Sequence, residues 1–262
     1  MFEARGRLAK ILLQLTLTIM VLPYLFPLIT MVQGSLSGQG WRNYKITLGV
    51  SAVPLFFRNS AIIAAGTIAI VYVCTMLAAY GFSKLHIRGK EIFFWMILVA
   101  LTLPEVVLLT PLFATTIKMG IYNTYWAVIL PLAALQIPFA VLLTRNFVNG
   151  IPDQLFEAVR VDGASAVRTF WYIVVPLTRP IAAAVLIFTL IGAWNDYLLP
   201  LVFLQSPSEQ TITLLPQYFI GQFSDDQTKV LASAVITAIP EIVAYLCLQR
   251  LFERGLTAGA IK

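Results

Sequence analysis

The chain of 262 residues has few charged side chains, and this shortage excludes an ordinary soluble fold. Charged residues make up 11% of the sequence and hydrophobic residues 59%, with a mean hydropathy of +0.85. Soluble domains have about 25% charged residues. The net charge of +6 does not indicate nucleic-acid binding, because the basic residues lie at the ends of apolar segments, as membrane-topology signals do. The composition therefore indicates an integral membrane protein with no nucleic-acid partner.

Residues that supply redox or metal chemistry are also scarce. The chain has two cysteines, Cys74 and Cys247, and one histidine, His86. Both cysteines lie in apolar segments without a CxxC pair or a nearby histidine, so the sequence predicts neither a disulfide framework nor a metal site. We interpret them as small, buried hydrophobic residues. His86 lies in a basic turn without a nucleophile or metal partner, which argues against a membrane-embedded enzyme.

Six apolar segments are long enough to cross a membrane, which takes about 20 residues. The predicted fold is an all-α polytopic membrane protein whose single domain covers residues 1–262. The predicted spans are 11–32, 61–82, 92–117, 125–144, 181–204 and 230–248. The first span follows basic residues, as a signal peptide does, but it is too long for a signal-peptide core and no A-x-A site follows it. We therefore expect this helix to be retained.

The distribution of Lys and Arg predicts the orientation of the spans. With a cytoplasmic N-terminus, thirteen of the 18 basic residues lie inside and five outside. The inner residues are Arg5, Arg7, Lys10, Lys84, Arg88, Lys90, Arg145, Arg160, Arg168, Arg179, Arg250, Arg254 and Lys262, and the outer ones are Arg42, Lys45, Arg58, Lys118 and Lys229. This asymmetry predicts that both termini are cytoplasmic and that residues 33–60 and 205–229 form the larger outer loops.

Two predicted spans contain paired prolines. Pro104 and Pro111 lie in the third span and Pro131 and Pro138 in the fourth, and each pair is seven residues apart on nearly one helix face. A proline removes a hydrogen bond within the helix and kinks it. Such kinks either shape helix packing or line a cavity that opens and closes, and the sequence leaves both roles open.

Three acidic residues lie within the spans with no basic residue beside them in sequence: Glu105, Asp196 and Glu241. Charges in a membrane usually face a bundle interior or a water-filled path. Protonated acids that bond a neighbouring helix, or in the case of Asp196 a carboxylate at the outer interface, would explain them structurally. The functional alternative is a proton or cation relay in an ion-coupled secondary transporter. That alternative predicts internal repeats, and the sequence shows no convincing one.

A polar segment, residues 150–180, separates the fourth and fifth spans. Pro152 and Asp153 predict the beginning of a short helix, Gly163 a tight turn and Ser165 the cap of a second short helix. This pair of helices either lies on the membrane surface, with its aromatic residues among the headgroups, or transmits a push from a partner in water.

The residue pattern of this segment is specific. The order E-A-V-x-x-D-G-A-x5-F-x-x-I-x-x-P begins at Glu157 and ends at Pro176. It closely resembles the EAA loop of binding-protein-dependent ABC importer permeases, and its one departure is Val159, where that family usually has a second alanine. Segments that are similar to MalG-type carbohydrate permeases are 58–60, 78–83, 194–201 and 255–260. The resemblance covers essentially the whole chain.

The resemblance implies a type I ABC importer permease fold with cytoplasmic coupling helices. The implied function is that of the transmembrane permease subunit of an ATP-driven importer for a sugar or related solute. In this family the EAA helices insert into a cleft on an ATP-binding subunit, whose closure switches the spans between inward-open and outward-open states. The residues implied to couple to the ATPase are Leu155, Phe156, Glu157, Ala158, Val159, Asp162, Gly163 and Ala164.

Within this set we assign separate roles. Glu157 and Asp162 are expected to pair with basic groups on the ATPase, and Gly163 to permit the bend. The apolar side chains expected to fill the cleft are Leu155, Phe156 and Val159. Movement of the loop would then pass through Pro176 and Pro180 into the fifth span.

The resemblance also implies the rest of the assembly. It comprises a second, MalF-type permease, two ATP-binding subunits that hold ATP and Mg, and an extracytoplasmic solute-binding protein, all at a prokaryotic plasma membrane with its lipid. The chain itself contains no GxxxxGK[ST] phosphate loop, so it is expected to be no enzyme and to hold neither a cofactor nor a metal.

Polar residues of the spans are candidates for the solute path. These are Asn59, Gln136, Asn195, Asp196 and Tyr197, with Tyr197 as a stacking surface for a sugar. Interhelical hydrogen bonds are an equally open role for each. Because the charges at mid-span are acidic and none is Lys or Arg, the sequence favours a neutral or amino-bearing sugar over an anionic solute.

Overall fold

The computed structural model describes residues 7–221 and 226–260. Within these ranges all the regular secondary-structure elements are helices, which confirms the predicted all-α class. The basic residues Arg5 and Lys262, which enter the charge asymmetry, lie outside the described residues. The backbone of residues 250–260, which include the MalG-like segment 255–260, is helical.

Twelve α-helices, some of them very short, follow one another along the described chain. In order they are α1 (Arg7–Ser35), α2 (Trp41–Leu48), α3 (Val53–Lys84), α4 (Lys90–Val99), α5 (Glu105–Lys118), α6 (Tyr125–Asn149), α7 (Asp153–Val161), α8 (Ala166–Thr169), α9 (Val175–Leu177), α10 (Arg179–Asn195), α11 (Leu198–Phe203) and α12 (Gln227–Ala260). A π-helical turn at Phe170–Val174 joins α8 to α9, and 3-10 turns occupy Ala100–Thr102 and Ile212–Phe219.

Four of the described helices, α1, α3, α6 and α12, are each long and apolar enough to cross a membrane. The third predicted span, 92–117, lies within a bent pair of helices, Lys90–Thr102 with Glu105–Lys118. The fifth, 181–204, overlaps only the second helix of another bent pair, Ala166–Leu177 with Arg179–Asn195. The bend is 107° in the first pair and 75° in the second. Six spans are obtained when each bent pair is counted as one, by length and composition.

The third predicted span, 92–117, is broken rather than kinked. Leu103 has an extended backbone, and α5 begins directly after Pro104. Proline disfavours helical geometry in the residue before it and cannot donate a backbone hydrogen bond, so the helix ends there. Pro131 and Pro138, by contrast, lie within the continuous helix α6.

The fifth predicted span, 181–204, is also interrupted. Helix α10 ends at Asn195, and Asp196 has an extended backbone before the short helix α11. Pro200 has no N–H to bond the carbonyl of Asp196 four residues earlier, so a continuous helix would leave that carbonyl unpaired. The hydroxyl of Thr213 instead donates to it at 2.8 Å. Asp196 therefore lies at a break and not inside a helix.

The described contacts divide the chain into two units, residues 1–51 with 215–238 and residues 52–214 with 239–262. In the first unit, the amide of Asn43 donates to the backbone carbonyls of Ser35 and Ser37 at 2.8 and 2.9 Å and so connects α2 to the end of α1. The predicted outer loop 33–60 thus contains a helix, and α3 begins at Val53, ahead of the predicted residue 61. The single-domain organisation stays a prediction.

In the second unit, α3, α6 and α10 form the core. One buried cluster joins Ile63 and Ala64 of α3 to Val128 of α6 and Ala193 of α10. The helices approach closely at Gly66, where a Cβ atom would lie 2.8 Å from the Cδ1 atom of Ile129. Small residues at such positions let membrane helices pack backbone to backbone.

The interpretation of the cysteines as buried residues is wrong. Cys74 and Cys247 are both exposed on the surface of the described chain. Each belongs to a long helix, α3 or α12, whose apolar surface faces outward as well as inward. A uniformly apolar helix does not reveal from its sequence which face is buried.

Candidate functional site

The polar segment between α6 and α10 folds as the sequence predicts. Pro152 immediately precedes α7, and Gly163 follows it with a φ of +76°, in the left-handed region that glycine adopts without strain. The hydroxyl oxygen of Ser165 accepts a hydrogen bond from the backbone N–H of Arg168 at 3.3 Å and caps α8. The chain then bends at Thr178, between the two prolines, before it enters α10.

Two adjacent residues of α7 differ in burial. Leu155 is 38% exposed, whereas Phe156 is 7% exposed. The Phe156 ring belongs to a buried cluster whose other members are Met76, Tyr80, Phe170, Val174 and Ala182. The expectation that Phe156 enters a partner's cleft is therefore wrong for this structure: the ring fixes α7 to its own chain, because one face of an amphipathic helix must be buried.

The other predicted coupling residues form the outer surface of this segment. Glu157, Ala158, Asp162 and Gly163 are exposed, and Val159 and Ala164 are half-buried. A hydrogen bond from the Ala164 N–H to the Val159 carbonyl, 3.1 Å long, closes the turn. Apart from Phe156, the predicted residues therefore lie together on a surface that a partner can contact.

A cavity of 570 Å³ lies between α5, α6, α10 and α11. Its walls are Glu105, Leu132, Leu135, Gln136, Phe139, Ala140, Leu143, Val185, Phe188, Thr189, Gly192, Asn195, Asp196, Tyr197 and Leu198. Four of the five predicted path residues thus lie around one space: Gln136, Asn195, Asp196 and Tyr197. The wall also includes Glu105, which the sequence identified as an intramembrane acid without assigning it to the path.

Several polar atoms of the cavity wall have no protein partner. Among the described residues, no hydrogen bond is made by Glu105 Oε1, Gln136 Nε2 or Asp196 Oδ2, although each of these atoms is buried. Buried polar atoms are normally hydrogen-bonded, since leaving one unpaired costs about 1–3 kcal/mol. Their arrangement around an otherwise apolar space is suited to a polar, hydrogen-bonding solute.

Gly192 allows the cavity wall to close tightly. A Cβ atom at Gly192 would lie 2.9 Å from Gln136 Nε2. Because Gly192 of α10 has no side chain, the side-chain amide of Gln136 of α6 fits against it. A larger residue at this position would push Gln136 away from its present location.

Asn59 does not line the cavity. Its side chain is fully buried, and its amide nitrogen donates to the backbone carbonyls of Ser208 and Gln210 at 2.8 and 2.9 Å. The expectation that Asn59 lies on the solute path is therefore wrong, because these contacts use the side chain to hold the loop after α11. Glu241 of α12 is also absent from the cavity wall.

Sequence reasoning missed the apolar part of the wall. Phe139 and Phe188 meet edge to face, with ring centroids 5.4 Å apart. Both belong to a helical repeat on the lining face, with positions 132, 135, 136, 139, 140 and 143 on α6 and 185, 188, 189 and 192 on α10. Extending the three-to-four-residue spacing from Gln136 and Asn195 would have found these positions.

Comparisons with known proteins agree in identifying one family. Residues 72–258 match the family model described as the binding-protein-dependent transport system inner membrane component. The chain is 35% identical over 207 residues to the probable ABC transporter permease protein YurM of Bacillus subtilis, which covers 79% of this chain and 69% of that protein. It is 31% identical over its whole length to the lactose transport system permease protein LacG of Rhizobium radiobacter, all of which is covered.

Further similarity lies in another relative and in a solved structure. The melibiose/raffinose/stachyose import permease protein MelC of Bacillus subtilis is 31% identical over 207 residues, or 79% of this chain and 75% of that protein. A chain of a bacterial ABC transporter involved in the import of the acidic polysaccharide alginate superimposes with a TM-score of 0.78. That match has 21% sequence identity and covers 96% of this chain and 99% of the other.

Proposed function

The chain belongs to the family of binding-protein-dependent transport system inner membrane components, and from this premise we propose that it forms part of the membrane path of an ATP-driven sugar importer. The observation that carries the proposal is the connection between two sites. The exposed surface of α7 is linked through α8, α9 and the bend at Thr178 to α10, which forms one wall of the cavity.

This connection supplies a mechanism for coupling. An ATP-binding subunit would contact the predicted coupling residues from Leu155 to Ala164 other than Phe156, with Glu157 and Asp162 pairing with its basic groups. Movement of α7 would then tilt α10 and so reposition Thr189 and Asn195 in the cavity wall. The turn at Gly163 must keep its backbone shape during this movement. This requires a residue that tolerates a positive φ. The chain itself acts as a translocation subunit, and ATP hydrolysis belongs to the partner.

The proposed assembly follows from the family. It comprises this chain, a second permease, two ATP-binding subunits that hold ATP and Mg, and an extracytoplasmic solute-binding protein. The excess of Lys and Arg on one side of the spans supports cytoplasmic termini and a cytoplasmic α7. Helix α1 is exposed along its apolar length in the described chain, so membrane lipid and the second permease would cover it.

The solute we propose is a neutral or amino-bearing sugar. Relatives named as lactose and as melibiose/raffinose/stachyose permeases support the sugar class. The cavity wall has two acidic residues, Glu105 and Asp196, and none of its residues is Lys or Arg. An anionic solute would meet carboxylates without a counter-charge in this wall, which is unfavourable at low dielectric. The acidic polysaccharide imported by the structural neighbour is therefore not the expected class here.

Reconstitution into proteoliposomes tests the function. Uptake of radiolabelled lactose, raffinose and alginate oligosaccharide is measured with the second permease, the ATP-binding subunit, the binding protein and ATP. We expect ATP-dependent uptake of one of the neutral sugars, no uptake when the ATP-binding subunit is omitted, and no uptake of alginate. Uptake by this chain alone under an ion gradient would refute the proposal and favour the ion-coupled transporter, in which Glu105, Asp196 and Glu241 form a relay.

A charge reversal tests the coupling surface. Glu157→Lys should abolish uptake while the assembly still hydrolyses ATP, because the proposed ion pair becomes a repulsion. Gln154→Lys adds a positive charge to the same exposed helix outside the motif and should leave uptake within about twofold of the parent. Equal uptake in the Glu157→Lys assembly and the parent would contradict the assignment of α7.

A further inference from the structure

Lys84, the last residue of α3, is hydrogen-bonded to the beginning of α7. Its ammonium group donates to the carboxylate of Asp153 and to the backbone carbonyl of Ile151, each at 2.7 Å. The same group lies 4.9 Å from the centroid of the Phe156 ring. A lysine ammonium has three N–H donors, and a cation within about 6 Å of a ring centroid is attracted to the ring. All three partners of Lys84 thus belong to the loop and first turn of α7.

The environment of this ion pair differs from that of a surface pair. The side chain of Lys84 is 6% exposed, whereas that of Asp153 is 78% exposed. An exposed pair contributes little to stability, but a buried ammonium that loses its partner is costly. The hydrogen bond from Lys84 and its charge hold the pKa of Asp153 below the usual value. The end of α3 therefore holds α7 at a fixed place.

Helix α3 connects this contact to the opposite end of the second unit. Between the ends, Ile63 and Val71 lie in buried clusters that also contain residues of α6 and α10. Near the other end, Asn59 donates to the carbonyl of Ser208. Asn59 and Lys84 are 25 positions apart in α3, which is about 38 Å at about 1.5 Å per residue. One continuous helix, α3, thus links the beginning of α7 to the loop after α11.

We infer that Lys84 is a positioning residue through which movement of α7 reaches α3 directly. The inference rests on the proposed coupling of α7 to an ATPase. The covalent route from α7 runs through the short helices α8 and α9 and the 75° bend at Thr178, where flexing can absorb part of a displacement. The Lys84 contact bypasses these breaks and delivers the displacement to the helix that packs against both α6 and α10.

The test measures access to the cavity, so that no solute needs to be known. The parent carries Cys74→Ser and Cys247→Ser, which remove the exposed native thiols, and Asn195→Cys, which introduces a thiol into the cavity wall. The complete assembly in proteoliposomes is treated with a membrane-impermeant maleimide from the outside, with and without ATP and orthovanadate. ATP hydrolysis is measured on the same samples.

We expect Lys84→Met to reduce the ATP-dependent change in labelling about five- to tenfold, as loss of a coupling interaction does, while ATP hydrolysis continues. Lys84→Arg retains donors for both oxygen acceptors and should keep most of the change. Lys90→Met is the matched control, because the Lys90 ammonium donates its hydrogen bond to the carbonyl of Leu85 and not to α7. A residue that merely stabilises the fold would lower assembly and hydrolysis together.

A second pair of variants covers the possibility that Lys84→Met prevents assembly. Asp153→Lys changes an exposed side chain, and Lys84 keeps the carbonyl of Ile151 as a partner, so the assembly should form. The two ammonium groups repel each other, and the variant should lose the labelling change as Lys84→Met does. Gln154→Lys places a lysine one residue away and should retain the labelling change. An unchanged labelling response in Asp153→Lys or Lys84→Met overturns the inference. A parent that shows no response to ATP refutes the proposed function instead, and the inference with it.

Discussion

The hydroxyl of Tyr125 donates a hydrogen bond to the side-chain carbonyl of Asn59 at 2.8 Å. The amide nitrogen of the same asparagine donates to the carbonyls of Ser208 and Gln210. One fully buried side chain therefore joins the early turns of α3, the beginning of α6 and the loop after α11. Because every polar atom of this amide is engaged, its role in the described chain is to hold these elements together.

Replacing this amide should destabilise the fold. Asn59→Leu keeps the number of side-chain heavy atoms but leaves two backbone carbonyls and the Tyr125 hydroxyl without their partner in partly buried hydrogen bonds. Each such group costs about 1–3 kcal/mol, so we expect the free energy of unfolding to fall by at least about 2 kcal/mol. The measurement is thermal or denaturant unfolding in detergent, followed by tryptophan fluorescence.

The control for this variant is Asn146→Leu, at an exposed position of α6, which should change stability by less than about 0.5 kcal/mol. Equal stability of the Asn59→Leu and Asn146→Leu proteins would contradict the structural role. It would return Asn59 to the candidates for the solute path.

The long helices were predictable from sequence, whereas their interruptions were not. Uninterrupted apolar runs predict α1, α3, α6 and α12 because a lipid-spanning helix needs little else. Whether a proline kinks or breaks a helix depends on what bonds the carbonyl that it frees. At Asp196 that partner is the hydroxyl of Thr213, which belongs to the later 3-10 turn Ile212–Phe219. Such a tertiary contact has no local signature in the sequence.

The local fold of the polar segment, residues 150–180, was predicted well because its signals are local. A proline before a helix, a glycine in a left-handed turn and a serine cap each act within a few residues. The directions of Asn59 and Phe156 were predicted incorrectly because they depend on how whole helices are rotated. In α3, which is apolar around its circumference, periodicity contains little information about direction. In α7 the apolar face was identified, but its partner was the chain itself.

The different burial of Leu155 and Phe156 gives a paired prediction. Phe156→Ala removes a buried ring and should lower the free energy of unfolding by about 3–5 kcal/mol. Leu155→Ala truncates a partly exposed side chain, so its cost should stay below about 1 kcal/mol. Leu155→Ala should nevertheless reduce the amount of ATP-binding subunit that co-purifies with the assembly, because Leu155 is on the proposed contact surface.

Unfolding curves and pull-down yields for the two variants check this prediction. Phe156→Leu, which keeps most of the apolar volume, should recover part of the stability. A larger loss of stability in Leu155→Ala than in Phe156→Ala would show that the burial of α7 is the reverse of that described.

The turn after α7 depends on the backbone of Gly163. A Cβ atom there would meet no atom within 4 Å, so Gly163→Ala has no clash, and its cost comes from the positive φ alone. That cost is about 1–2 kcal/mol. Gly163→Asn should cost less, because asparagine tolerates the left-handed region better than other residues. Thermal unfolding of the three proteins should rank them Gly, Asn, Ala from most to least stable.

Gly81→Ala is the matched control for this substitution. Gly81 lies inside α3, and a Cβ atom there would be no nearer than 3.9 Å to the Cδ1 atom of Ile87. Alanine favours a helix over glycine by about 1 kcal/mol, so Gly81→Ala should stabilise the protein where Gly163→Ala destabilises it. The same sign for both variants would contradict the left-handed turn.

Asp226, directly before α12, gives a prediction about pH. Its carboxylate contacts the ammonium of Lys229 and accepts hydrogen bonds from the Thr228 hydroxyl at 2.7 Å and the Lys229 N–H at 3.2 Å. The hydrogen bond with the Lys229 side chain is the largest cause that lowers the pKa of Asp226 to about 2. A carboxyl whose pKa is lower in the folded state stabilises the fold fully above its unfolded pKa, near 3.9. This contribution is lost as the pH falls from about 4 to about 2.

Comparing Asp226→Asn and Asp226→Ala with the parent isolates this contribution from other acid effects. At pH 7, Asp226→Ala should lower the free energy of unfolding by about 1 kcal/mol, as loss of a helix cap does. Asp226→Asn keeps a capping oxygen but loses the charge, so its stability should lie between the two. Because protonation removes the same charge from the parent, the difference between the parent and Asp226→Asn should shrink as the pH is lowered from 4 toward 2. Thermal unfolding in detergent across this range measures it, and a difference that stays constant would contradict the lowered pKa.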